Sequence, residues 1–210
     1  MADVLAERWR KLAGSLGAEP QAAEDWFAIV ADSYSQYFRH YHGLEHLAGC
    51  LVHLDESRPW LANPELVEYA LWFHDIVCVP TANSNEELSA AAACYAAARL
   101  GLPVNFAEQA AQLILLTRHQ GAAGDNDGAF LMDIDLAILG QDWPVFSNYE
   151  YQIRAEYSHL SAAGYRQGRR QVIDVFLGRT VIYQTGYFRE KFEQAARSNL
   201  MKLRQQLGSQ

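Results

Sequence analysis

No stretch of this chain sustains the apolar–polar alternation of a half-buried strand, whereas apolar residues recur at three- and four-residue intervals along its length. That periodicity restricts the fold to packed helices. Leu5, Trp9 and Leu12 mark a short first helix, interrupted at Gly14 and Gly17. Pro20 opens a second, running to Ser35, with Trp26, Phe27, Val30 and Tyr34 on its apolar side. Arg39-His40-Tyr41-His42-Gly43 reads as a tight polar-aromatic connection. The spacing of Leu44, Leu47, Leu51 and Leu54 predicts a helix over 44–57, ended by Arg58-Pro59. Asn63-Pro64-Glu65 combines a cap, a first-turn proline and an early acid. It predicts a helix that carries His74 and Asp75 and stops at Pro80. Further helices are expected over 88–100, 107–117, 130–139, 144–163, 168–177 and 189–207, with an exposed Gly/Asp/Asn-rich loop over 120–128. Residues 172–177 have strand propensity, but their length and flanks favour a helix. The expectation is an all-α, compact helical bundle forming one domain over 1–210, with no repeat or linker.

The polar residues inside this apolar pattern carry the chemistry. His74 and Asp75 interrupt an otherwise apolar run over 70–79. A buried neutral polar group without a partner costs about 1–3 kcal/mol, and a charge more. Asp75 could cap a helix or pair with an arginine, and His74 could be a hydrogen-bonded core histidine. His42 and His46 are spaced to share a helix face if the helix is continuous there, although Gly43 could start it. The bland alternative has His42 lining the loop and His46 packing on Leu47. Asp133 and Asp135 do not share a helix face. One is expected to point inward and the other to be solvated or to form a local bond. The apolar neighbours of Asp135 favour it as the internal one. A buried carboxylate needs a metal, a cation or several donors. A mixed histidine–aspartate set suits Mn²⁺, Fe²⁺, Co²⁺, Ni²⁺ or Zn²⁺ better than a pure oxygen cage would, with Mg²⁺ allowed.

Composition narrows the functional classes. Half of the 210 residues are apolar and the formal charge is −8. Such a chain can bury a large core, and it is a poor candidate for binding a nucleic-acid polymer. A small phosphorylated molecule is still allowed, because a local metal overrides a negative global field. Cys50, Cys78 and Cys94 form no C-x-x-C pair and read as buried thiols in a reducing compartment. No apolar run approaches the length of a membrane span, and the start lacks a secretory pattern, so the expected location is cytoplasmic with no membrane partner.

The set His46 … His74-Asp75 … Asp135 resembles the signature of the HD superfamily of metal-dependent phosphohydrolases. Residues 39–47, Trp72-Phe73-His74-Asp75, 85–90, Thr117-Arg118-His119, 133–140, 153–157 and Asn199 are similar to a poorly characterised branch of predicted HD hydrolases of about this length. The resemblance covers nearly the whole chain. It implies a site core over 39–140, with C-terminal helices over 144–207 packed on it. It also implies one divalent transition metal held by His46, His74, Asp75 and Asp135. Relatives with two metals use further histidines before the last aspartate, and only His119 lies in that interval here.

The implied reaction is attack of a metal-activated water on a small phosphorylated metabolite or nucleotide, as phosphomonoester or pyrophosphate. Asp75 would border the water and Glu86 would assist catalysis. Ser84 or Asn85 capping the same helix offers a purely structural account of Glu86. Arg39, His42, Arg118, His119 and Arg154 are the candidate substrate-binding cations. Arg154 or Glu156 could instead brace the site. Arg166, Arg169 and Arg170 read as a solvated basic face, and Tyr41, Tyr149, Tyr151 and Tyr157 could line a nucleobase pocket. A non-catalytic metal- or nucleotide-binding sensor and an HD-type di-iron oxygenase are the alternative readings. The number of chains in the assembly is not legible.

Overall fold

The computed structural model describes residues 1–208; Ser209 and Gln210, the end of the expected domain span, lie outside the described residues. The described chain is all-helical. The helices are α1 (Ala2–Ser15), α2 (Pro20–Tyr34), α3 (Leu44–Ser57), α4 (Pro64–Phe73), α5 (Asn85–Arg99), α6 (Val104–Leu115), α7 (Asn126–Asp135), α8 (Trp143–Glu156), α9 (Ala162–Gly178) and α10 (Gly186–Gly208). Short 3-10 turns at Arg58–Trp60, Leu116–Arg118 and Leu136–Gly140 extend α3, α6 and α7. None of the described helices is long and apolar enough to cross a membrane.

Helix α4 is the axis of the first half of the molecule. Asn63 Oδ1 caps it by accepting from Leu66 N, Pro64 fixes its first turn, and every residue from Leu66 to Phe73 is buried. A helix apolar on all sides must be surrounded, and α1, α3, α5, α6 and α7 pack around this one. Trp9 meets Trp72 edge-on at 5.4 Å between ring centroids, and Tyr69 lies 4.7 Å from Phe73. The one charge on this core stretch, Glu68, is answered by Arg8 at 2.7 Å and by Arg58. Alanines at 93, 96, 97 and 110 are fully buried and let α5 and α6 pack closely.

Helix α4 stops seven residues before Pro80. His74 is its C-cap, and Asp75 lies in the turn beyond. The expected continuation to Pro80 fails because distant side chains supply the backbone with other partners. Arg39 donates to Asp75 O (2.5 Å) and Ile76 O (2.9 Å), Tyr34 Oη accepts from Asp75 N, and Ser89 Oγ accepts from Val77 N. Asn85 bonds both the N–H and the C=O of Val79. Once those groups are satisfied, nothing requires the helical ladder to continue.

The loop expected over 120–128 is shorter. Asp125 Oδ1 accepts from Gly128 N and starts α7, so Gly128 is a buried helical residue. Asp127 is buried as well, accepting from Ala62 N and Asn63 N. Residues 172–177 are helical, within α9.

The C-terminal helix clamps the segment after α7. A Cβ on Gly140 would lie 2.4 Å from the Phe192 Cβ, so only glycine lets α10 approach this closely. Asn199 Nδ2 donates to Leu139 O and Gln141 O, and Tyr183 Oη donates to Leu136 O.

Candidate metal centre

Three segments far apart in sequence meet at one point. His46 enters from the first turn of α3, His74 and Asp75 from the turn after α4, and Asp135 from the last residue of α7. The two imidazole Nε2 atoms are 3.0 Å apart. Asp75 Oδ2 is 3.2 Å from His74 Nε2 and 3.6 Å from His46 Nε2. Asp135 Oδ1 is 3.3 Å from His46 Nε2 and 3.6 Å from His74 Nε2.

These separations can be compared with a coordination sphere. For bonds of about 2.1 Å, adjacent donors are about 3.0 Å apart in an octahedron and about 3.4 Å in a tetrahedron. The observed edges, 3.0 to 3.6 Å, span those values. His74 Nδ1 donates to Leu71 O at 2.7 Å, which directs the Nε2 lone pair to the meeting point. The chemistry and spacing of the set therefore fit a divalent ion.

The electrostatics point the same way. Burial would lower the His74 pKa, but Asp75 and Asp135 raise it well above the usual imidazole value. Burial would raise the Asp75 and Asp135 carboxyls, but neighbouring imidazoles hold both below the usual range: mainly His74 and His42 for Asp75, and His119, His46 and His74 for Asp135. The carboxylates thus draw positive charge into the cluster. A divalent ion answers the same demand, with release of protons.

Cys50 is a neighbour that the sequence reading treated only as a buried hydrophobe. The ligand-capable atoms of His46, Cys50, His74 and Asp135 all lie within 4.8 Å of one another. The signal was present as the His46-x-x-x-Cys50 spacing on one helix. Its Sγ lies 3.7 and 3.8 Å from the two His46 ring nitrogens, nearly equidistant rather than at the Nε2 meeting point. Burial, with Asp135 and Asp75 nearby, pushes its pKa well above the ordinary thiol value. That value holds for the metal-free cluster, and an ion bound at the meeting point would itself lower it; Asp75 and Cys50 are thus two candidate fourth donors beside His46, His74 and Asp135.

The cluster borders a cavity of about 210 Å³ that contains His42, Asp75, Glu86, His119, Asp135 and Arg169 in its lining. Glu86 reaches it from the first turn of α5. Ser84 makes no side-chain cap bond there, and Asn85 is engaged with Val79, so neither residue supplies the expected capping role. His119 adopts a left-handed backbone (φ 54°) and places Nε2 2.8 Å from Asp135 Oδ2, in direct contact with the donor set. His42 precedes α3 instead of sharing a face with His46. Its Nδ1 is 2.7 Å from Glu156 Oε2, and the other Glu156 oxygen accepts from Tyr41 N and His42 N.

The arginines are distributed differently from the sequence expectation. Arg39 is spent on the backbone carbonyls of the His74–Asp75 turn and on His42 O. Arg118 pairs with Glu87 and lies 3.7 Å from Glu86. Arg154 closes the end of α8 through Tyr157 O and Leu160 O. None of the three lines the cavity. Arg169, expected on a solvated face, is mostly buried, pairs with Glu150 and donates to Tyr149 Oη at 2.9 Å. It is the one arginine in the cavity lining among the described residues. Nothing local distinguished it from Arg166 and Arg170; its partners lie on another helix. Tyr151 is exposed, whereas Tyr41 and Tyr149 line the cavity.

Asp133 corrects a second expectation. It is fully buried rather than solvated, and its two oxygens accept from Gln184 N and Thr185 N at 2.7 Å each. It secures the approach to α10 and takes no part in the cluster. The chain was compared with protein-family models, curated proteins and solved structures, and no match was found in any of the three.

Proposed function

We propose that this protein is a metal-dependent phosphohydrolase of the HD type, acting on a small phosphorylated metabolite or nucleotide. The observation that carries the reading is the convergence of His46, His74, Asp75 and Asp135 on one point beside a cavity. A divalent ion held there would supply a Lewis acid and make water a better nucleophile near neutral pH. Hydrolysis forms one bond from water oxygen to phosphorus and breaks the bond to the leaving oxygen. The water loses a proton and the leaving group gains one. In this reading Glu86, which lines the cavity, accepts that proton, and Asp75 borders the same space. His119 orients Asp135 and, with His42 and Arg169, gives the cavity its donors towards an anionic group. Arg39 acts as a positioning residue, since it holds the carbonyls of the turn that presents Asp75.

The test combines elemental analysis of the purified chain with phosphate release from a panel of phosphomonoesters and pyrophosphates, using Mn²⁺, Co²⁺, Ni²⁺, Zn²⁺ and Mg²⁺ in turn. Stoichiometric metal with phosphate release supports the reading. Metal without turnover on any ester would leave a binding module, and iron with an O₂-dependent spectral change would favour an oxygenase.

A further inference from the structure

The cavity beside the donor cluster has two unlike walls. Asp75, Glu86, His119 and Asp135 make one wall polar. Another part of the lining is one face of α9, where Arg169, Val172, Ile173 and Phe176 follow at i, i+3, i+4 and i+7. Beyond Arg169 that face is apolar; Val172 and Phe176 keep exposed surface there, whereas Ile173, Leu139 and Leu200 in the same lining are buried. The apolar wall begins one ring away from the cluster. Phe176 lies 6.5 Å from the His119 ring, and His119 is bonded to Asp135. Arg179 packs over Phe176 at 4.4 Å and donates to His119 O, which fixes the two rings relative to each other.

We infer that the substrate is a compact phosphomonoester with an apolar leaving group, and that the α9 face selects it. The inference rests on the hydrolase reading and narrows it. The volume, about 210 Å³, lies below the roughly 300 Å³ at which pockets for drug-sized ligands begin. A phosphate with a short alkyl or single-ring body is matched to it; a nucleoside would extend beyond it towards solvent. A sugar body is disfavoured for another reason, because hydroxyls lying along α9 would lose water against Val172 and Phe176. The reaction balances as ester plus water giving inorganic phosphate plus the alcohol or phenol.

A second cavity, about 410 Å³, reaches His46 and Asp135 from the other side and carries the amides of Gln141, Asn148 and Gln152. It lacks Glu86, Asp75 and His119. A substrate there would meet Glu45 and His53 in place of Glu86, His42, His119 and Arg169, the groups on which the hydrolase reading rests.

The experiment uses the full chain loaded with its metal, and two readouts. Phosphate release is compared for phenyl phosphate, butyl phosphate, glucose 6-phosphate and adenosine 5′-monophosphate. Binding of phenylphosphonate and methylphosphonate, which cannot be hydrolysed, is measured by calorimetry in the parent, Phe176→Ala, Val172→Ala and Asn148→Ala chains. The two apolar esters are expected to exceed the sugar and nucleoside esters in kcat/KM by at least roughly tenfold, the scale of one buried ring. Phe176→Ala should weaken phenylphosphonate by a similar factor and leave methylphosphonate unchanged. Val172→Ala, at the exposed rim, should do the same more weakly without risk to the fold. Equal or faster hydrolysis of the nucleotide would overturn the inference, as would equal loss of both phosphonates in Phe176→Ala or loss of phenylphosphonate in Asn148→Ala. If no ester is hydrolysed while the Phe176-dependent preference for the phenyl compound persists, the hydrolase reading falls and the apolar selection stands.

Discussion

Asp133 and Asp135 sit two residues apart at the end of α7, and both turn inward, towards different surroundings. Asp133 faces the residues before α10, where two backbone N–H groups meet its two oxygens. Asp135 faces imidazoles: His46 and His74 on Oδ1 and His119 on Oδ2. Burial raises the Asp133 pKa in spite of its backbone bonds, whereas the three histidines carry Asp135 below the usual carboxylate range against the same burial. The first acid is answered by fixed dipoles that cannot change. The second is answered by imidazoles, which are metal-ligand groups, and this separates a bracing acid from one in a candidate donor set.

The comparison is broken most directly at the donor set. Asp135→Asn and Asp75→Ala are expected to abolish stoichiometric metal and bring turnover to background, as read by elemental analysis and phosphate release. Unchanged metal content in either would remove that residue from the ligand set. Glu86→Ala is expected to keep the metal and slow turnover by about 10²- to 10⁴-fold, the usual worth of a positioned acid–base group. A rise in KM at constant kcat would make Glu86 a binding residue instead.

Bracing acids should answer to stability rather than chemistry. Glu156 accepts from Tyr41 N, His42 N and His42 Nδ1, and Glu156→Gln is expected to cost about 1–3 kcal/mol in denaturant unfolding. Burial would raise its pKa, but the His42 side chain and the two backbone N–H groups hold it below the ordinary glutamate value. A depressed carboxyl contributes stability that is complete above the unfolded value, about 4.3, and is lost as pH falls through the lower folded value. The parent chain should therefore lose this increment on acidification below about pH 4.3, and the Gln variant should show a flatter acid limb. Identical acid limbs would show that the pair contributes nothing. The smallest effect is expected for Asp133→Asn, about 1 kcal/mol, because relief of a buried charge offsets the lost N–H bond. Its metal content should match that of the parent chain.

Much of this arrangement was legible in the sequence wherever the cause was local. The α3 boundaries follow from leucine spacing and the Arg58-Pro59 stop, and His74, Asp75 and Asp135 stand out as polar residues among apolar ones, whereas their grouping with His46 came from the family resemblance. The early end of α4 was not legible, because Arg39, Ser89 and Asn85 compete for its backbone from other parts of the chain. Arg169 and Asp133 were misplaced for a related reason. Burial of a charged residue is decided by partners such as Glu150 or Gln184, and periodicity carries no information about them.

The turn that presents Asp75 has a consequence for how the protein reaches its native state. Its geometry depends on a bond from Arg39 across 36 residues of chain, and the cluster joins His46 to His74 across 28. Asp135 arrives later still, from α7. Closing such loops is favourable only after the helices between them have docked. Partly folded forms of this chain therefore offer separate imidazoles and carboxylates to solution, and the complete donor set belongs to the finished fold.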